Sequence, residues 1–306
     1  MNGYCENAKN EISALTFSSK CCKRAFLSAL IHSCGSLSFN REGMKISLPL
    51  ALDELIVKVI KYVNSLFGEK ISVLEDIDGV VVFRGKYLAQ ALLQLGIFAL
   101  NSNGETVLYA GIARGLMQKR CCAVNYIRGL FLGCGSVSLK KGYHLEFALT
   151  SPNLAFDLVE LLATFGFTAK TTERKDKIVV YLKDSEKVSD CLALMGASGA
   201  VLKLNEQFIM REFRRNTNRQ TNCEIANISK TVNASVRQIE SIKFIESKIG
   251  LASLDDKLVA VARARLDYPD ESFAFLAETL CVSKSTLKNR LNKLIELASA
   301  IRSENG

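Results

Sequence analysis

Between Ser283 and Leu294 the chain gathers Ser283, Lys284, Ser285, Thr286, Lys288, Asn289, Arg290, Asn292 and Lys293 with no acidic residue among them. Serine, threonine and asparagine side chains reach base edges and phosphate oxygens, and lysine and arginine neutralise phosphates. The chemistry on offer is recognition of a polyanion. An upstream run, Arg211, Arg214, Arg215 and Arg219 against the single acid Glu212, reads either as a solvated linker or as further phosphate contacts. The third reactive set is sulfur: ten cysteines, including the adjacent pairs Cys21-Cys22 and Cys121-Cys122 and the single residues Cys34 and Cys134. A zinc cluster of Cys21, Cys22, Cys34 and His32 is the sharp alternative to buried thiols. It is disfavoured, because adjacent cysteines on a helix point about 100° apart and the C-x-x-C spacing is missing. Reduced, half-buried thiols are therefore expected, with no metal and no cofactor.

The polar stretch needs a scaffold, and its flanks supply one. Ile228, Val232, Val236, Ile239, Ile242, Ile245 and Ile249 recur at helical spacing, predicting a helix capped by Asn227 or Ser229 and ended by Gly250. A second helix is expected over Asp255–Leu266, stopping near Pro269. The segment Ser272–Leu291 then resembles a helix-turn-helix, as in bacterial repressors and the DNA-binding end of sigma factors. Ala277 is the small residue, Cys281 the turn, Val282 the apolar plug and Ser283 the cap, while Leu287, Leu291 and Leu294 hold the second helix. The departure is Cys281, where such turns usually have glycine; a side chain there costs roughly 1 kcal/mol.

The N-terminal part repeats itself at an offset of 100 residues. Residues 20–39 and 120–139 align without gaps, and seven of twenty positions are identical, among them Cys21/Cys121, Cys22/Cys122, Cys34/Cys134 and Gly35/Gly135. His32 has no counterpart, since Leu132 stands there. Alternating and helical periodicities after each block predict two α-β-β-α-β-β-α units of about one hundred residues each, packed about a pseudo-twofold axis. Ala29-x-x-x-Ser33 and Gly129-x-x-x-Gly133 put small residues on one helical face in both copies, which predicts that these helices form the interface.

The repeated helix, Leu27–Gly35 and Ile127–Gly135, resembles the LAGLIDADG motif of homing endonucleases. That resemblance implies a central helix pair whose C-terminal ends each deliver an acid to the cleavage metals. Here those positions are Cys34 and Cys134. Thiols suit hard divalent cations poorly, so the resemblance implies a scaffold that has lost cleavage. A degenerate pair of this kind followed by a sigma-like helix-turn-helix resembles the WhiA family, as does Asn222–Val232 just ahead of the helices. The family resemblance implies a bacterial transcriptional regulator tied to cell division, chromosome segregation and, in relatives, sporulation. It also implies a protein partner, another transcription factor or RNA polymerase.

The expected fold class is α+β: a two-repeat LAGLIDADG-like domain over 1–205 (repeats about 15–100 and 115–200), a basic linker over 206–222, and a small all-α domain over 223–306 with its helix-turn-helix at about 272–295. Composition agrees. Hydrophobic residues make up 48%, which a disordered chain would not carry, and the net charge of +9 favours a polyanion partner. Met1–Asn10 is polar, so no secretory leader is expected, and Leu88–Leu100 is too short and too interrupted to span a membrane. A cytoplasmic, nucleoid-associated, non-enzymatic binder of double-stranded DNA is the reading. The alternatives are an active nuclease or maturase on the same scaffold, and an interaction module with no DNA role.

Overall fold

The computed structural model describes residues 3–41, 43–75, 79–140 and 142–304. The chain divides into two compact units, Met1–Met210 and Arg211–Gly306.

The first unit opens with helix α1 (Gly3–Ala14), which the sequence reading did not anticipate. The first repeat follows: α2 (Lys20–Cys34), β1 (Ser36–Asn40), β2 (Gly43–Pro49), α3 (Asp53–Phe67), β3 (Ser72–Glu75), β4 (Val80–Arg84) and α4 (Leu88–Gln94). A short hairpin of β5 (Phe98–Leu100) and β6 (Thr106–Leu108), also unanticipated, leads to the second repeat. That repeat runs α5 (Arg120–Cys134), β7 (Gly135–Ser138), β8 (His144–Leu149), α6 (Pro152–Ala163), β9 (Lys170–Arg174), β10 (Lys177–Leu182) and α7 (Ser185–Met195). Both repeats build a four-stranded antiparallel sheet in the same order, β1-β2-β4-β3 and β7-β8-β10-β9. The α+β class and the expected repeat unit are what the chain forms.

Local chemistry explains the boundaries. Helix α6 starts where Ser151 accepts from the Leu154 amide at 3.2 Å and Pro152 occupies the first turn, where its missing N–H costs nothing. Helix α7 starts where Asp184 accepts from the Glu186 and Lys187 amides, and ends at Gly196 with φ of 86°. In β8 the alternation Leu145, Phe147, Leu149 puts one face of the sheet into the core.

The core forms around the α2–α5 pair. Phe26, Leu27, Leu30, Tyr126, Ile127, Leu130 and Phe131 are buried there. The expected small-residue interface is present: a Cβ added to Gly129 would stand 2.6 Å from the Phe26 carbonyl oxygen and 2.7 Å from the Ala29 Cβ, and one on Gly133 would overlap Ser33. Only glycine lets the backbones approach this closely.

Helix α8 (Ser198–Ile249) is continuous over 52 residues. The basic stretch 206–222 lies within α8, and the division between the two units falls inside it, at Met210/Arg211; it contains neither Gly nor Pro, and its Arg, Glu and Gln residues are good helix formers. One expectation is corrected: no helix begins at Asn227 or Ser229, which lie inside α8. The supposed apolar face is also only partly used: Ile242 and Ile245 are buried, whereas Ile228, Val232 and Val236 are exposed.

The second unit continues with α9 (Asp256–Asp267), α10 (Phe273–Thr279) and α11 (Lys284–Glu304). Gly250, with φ of 75°, ends α8, and Asp255 caps α9 through the Lys257 amide at 2.8 Å. Ile242, Ile245, Leu258, Val261, Leu276, Leu287, Leu291 and Leu294 form a core of their own.

Candidate nucleic-acid interface

Ser272 caps α10 by accepting from the Phe275 amide at 3.3 Å. The chain then turns through Leu280–Ser283. The Leu280 amide bonds the Leu276 carbonyl, Cys281 bonds Glu278, and Val282 bonds Ala277 at 2.9 Å. Cys281 adopts φ of 49°, the left-handed conformation that the missing glycine foretold. Ser283 accepts from the Thr286 amide at 3.1 Å and starts α11. Leu287, Leu291, Leu294, Ala298 and Ile301 recur every three or four residues and are buried. They fix the rotation of α11, and the rotation decides which side chains face outward.

Ser283, Lys284, Ser285, Lys288, Asn289, Asn292 and Lys293 are exposed, and Thr286 and Arg290 are half-buried. Ser285, Asn289 and Asn292 stand at i, i+4 and i+7, a single polar stripe, with Lys288 and Lys293 beside it. The Thr286 hydroxyl lies 2.8 Å from that of Ser283, which is also 2.8 Å from the Ser285 hydroxyl. These three hydroxyls shape the turn at the helix N-terminus, where backbone N–H groups favour an anion.

A residue the sequence reading passed over holds the loop ahead of α10. Arg265 of α9 is buried, donates to the Glu271 carbonyl at 2.9 Å and lies over the Phe273 ring at 5.5 Å. Its basic character gave no hint of a structural role; its place on the inward face of α9, between Ala262 and Leu266, did. Of the upstream arginines, all on α8, Arg214, Arg215 and Arg219 are exposed and Arg211 is half-buried. Arg215 pairs with Glu212 at 2.8 Å, which removes part of its charge from play.

In the first unit the C-terminal ends of α2 and α5 place Cys34 and Cys134 together, since a Cβ on Gly133 would lie 3.4 Å from the Cys34 sulfur. The Cys34 thiol donates to the Leu30 carbonyl at 3.3 Å. Burial pushes both thiols up, Cys134 to about 12 with help from the neighbouring Cys34. Both are neutral at physiological pH and offer no charge to a hard cation. Lys9 of α1 reaches into the same place and donates to the Leu132 carbonyl at 3.1 Å. Burial lowers its pKa, while Cys5, Cys134 and Cys34 act in the opposite direction. Cys5, Ala8 and Ile12 at i, i+3 and i+7 were the readable sign of the helix that carries Lys9.

The sulfur–imidazole cluster considered from sequence does not form. Cys21 and Cys34 lie at opposite ends of α2, and His32 is taken up by the Tyr126 hydroxyl at 2.8 Å and the Tyr109 carbonyl at 3.3 Å. Burial lowers the His32 pKa to about 4, so it is neutral. What the fold gathers instead is Cys21, Cys22, Cys121 and Cys122.

A two-repeat α/β unit with a close-packed helix pair, lacking acids at the ends of that pair, and a helical unit with a capped helix-turn-helix define a LAGLIDADG-like protein carrying a DNA-binding type of domain. Residues 123–214 match the WhiA LAGLIDADG-like domain and residues 217–298 match the WhiA C-terminal HTH domain. The chain is 38% identical over 306 residues to a protein of Desulforamulus reducens named "Probable cell division protein WhiA", covering 96% of this chain and 95% of that one. It is 36% identical to the protein of the same name from Alkaliphilus oremlandii, covering 96% of each chain. The crystal structure of full-length WhiA from Thermatoga maritima aligns with a TM-score of 0.55 at 22% identity, covering 97% of this chain and 98% of that one. The chain belongs to the WhiA family.

Proposed function

We propose that the protein is a non-cleaving, double-stranded-DNA-binding transcriptional regulator acting in cell division and chromosome segregation. The observation that carries the DNA reading is α11: its leucine stripe is spent on the core, and the opposite face presents Ser285, Lys288, Asn289, Asn292 and Lys293 with no acid between Ser283 and Leu294. A helix with such a face fits a major groove, its amides and hydroxyls at base edges and its lysines at phosphates. Arg211, Arg214, Arg215 and Arg219 would add phosphate contacts along α8. The cell-division role rests on the relatives' name.

The non-enzymatic reading rests on Cys34, Cys134 and Lys9. Two-metal hydrolysis requires carboxylate oxygens at the metals, and here two neutral thiols and the Lys9 amino group stand in their place. No described helix is long and apolar enough to cross a membrane; a nucleoid location follows from DNA binding, and a second transcription factor or RNA polymerase would be the protein partner. Incubation of the full chain with genomic duplex fragments and Mg²⁺, resolved on native and denaturing gels, tests the reading. Retarded, intact DNA is expected; cut products would restore the nuclease alternative, and unretarded DNA would leave only an interaction role.

A further inference from the structure

Paired cysteines mark both copies of the repeat, and neither the helix-turn-helix nor the helix-pair interface uses them. Cys21 and Cys22 lie in the first turn of α2, and Cys121 and Cys122 in the first turn of α5. Each adjacent pair alone points two ways and could not surround an ion. The fold sets one pair against the other, and all four sulfurs lie within 4.8 Å of one another. We propose that Cys21, Cys22, Cys121 and Cys122 form a four-thiolate zinc site that clips the two repeats together.

Zinc with four thiolates is tetrahedral with Zn–S of about 2.3 Å, so its sulfurs stand about 3.8 Å apart. The thiols are thus within about 1 Å of the required spacing, a movement that side-chain rotation supplies. The ligand set is closed and wholly sulfur, which selects a soft or borderline ion and excludes Mg²⁺ and Ca²⁺. Four thiolates leave the complex with two negative charges. All four cysteines sit in the first turns of their helices, where the N-terminal amides favour negative charge. Cys22 and Cys122 are buried, whereas Cys21 is half-buried and Cys121 exposed, which leaves an entry path. Cysteines that merely fill a core need no such mixture.

The site lies at the other end of the helix pair from Cys34 and Cys134, about 20 Å along a helix of 15 residues. It therefore cannot stand in for the lost cleavage metals. Its role is to hold the N-termini of α2 and α5 together, where their C-termini are joined by glycine packing.

The test uses the full chain, purified from cells grown with zinc and without chelator. One zinc per chain by elemental analysis is expected, and replacement by Co²⁺ should give the intense visible bands of tetrahedral thiolate coordination. The double variant Cys21→Ser with Cys121→Ser should lose both the ion and the bands, while Cys34→Ser should keep them. Should the double variant fail to fold, the Co²⁺ spectrum of the unaltered chain still decides. Four outcomes would overturn the site: no stoichiometric metal and no thiolate–cobalt bands, full retention of zinc by the double variant, iron with sulfide in place of zinc, or a disulfide between the pairs in protein kept reduced.

Discussion

Replacing Gly129 with alanine separates two views of the repeated helix by the sign of the effect. On an open helix surface, alanine in place of glycine stabilises by up to about 1 kcal/mol, because glycine costs backbone entropy. At Gly129 the new Cβ would stand 2.6 Å from the Phe26 carbonyl oxygen, 2.7 Å from the Ala29 Cβ and 3.4 Å from the Leu30 amide nitrogen. Two of the three obstacles are backbone atoms of α2, and α2 cannot yield without moving Phe26, Leu27 and Leu30, all fully buried. Overpacking of this kind costs typically 1–3 kcal/mol, and a backbone obstacle belongs at the upper end. After the gain in helix propensity, a net loss of about 2 kcal/mol remains. For a unit of roughly two hundred residues this lowers Tm by about 4–8 °C. Differential scanning calorimetry of the full chain should show one transition moving down by that amount, with the transition of the second unit unmoved. An unchanged or raised Tm would mean that α2 and α5 do not approach as closely as described, and the glycine-packed interface would be refuted.

Three further outcomes follow from the same geometry. His32, with its pKa lowered to about 4 by burial, must take up a proton in the unfolded chain before the folded one; stability is therefore full above about pH 6.5 and falls as pH drops toward 4, by up to about 3 kcal/mol. Denaturant unfolding of wild type and His32→Gln across that window checks it, the variant showing the shallower slope. Cys281→Gly relieves a side chain held at φ of 49° and should stabilise the second unit by about 0.5–1 kcal/mol, read as a Tm rise of a few degrees. Cys34→Asp with Cys134→Asp restores two carboxylates beside Lys9; an ion pair with the ammonium is expected, and no Mg²⁺-dependent nicking of supercoiled plasmid should appear.

The parts of this molecule that could be read in the sequence are those whose signals are local and repeated. Ser283, Val282 and the 287/291/294 leucines specify a capped, rotated helix by themselves, and the duplicated CC…CGS blocks disclosed the two-repeat architecture without any contact being known. Cys281 was legible as a departure because turn geometry is set by one residue. What escaped depended on long-range placement. Lys9 is 123 residues from the carbonyl it bonds, and nothing beside it in sequence marks its destination. The thiol cluster is invisible within either copy and exists only when the two are set together. The stretch 206–222 carries the boundary between the two units in its charge pattern, while its helical form is written in the absence of Gly and Pro, which permits an uninterrupted helix. Ile228, Val232 and Val236 follow a helical period yet stay exposed, since period reports the face a helix offers and not whether a neighbour covers it.

Whether α11 reads DNA is decided by the salt dependence of duplex binding by wild type and by a Lys284→Gln, Lys288→Gln, Lys293→Gln triple variant, measured by fluorescence anisotropy. Each phosphate contact contributes about 0.9 to the slope of log K against log salt. The variant should bind more weakly at every salt concentration, with a slope shallower by roughly two to three. Equal affinity and equal slope for the two proteins would contradict the assignment of α11 as the DNA-reading helix.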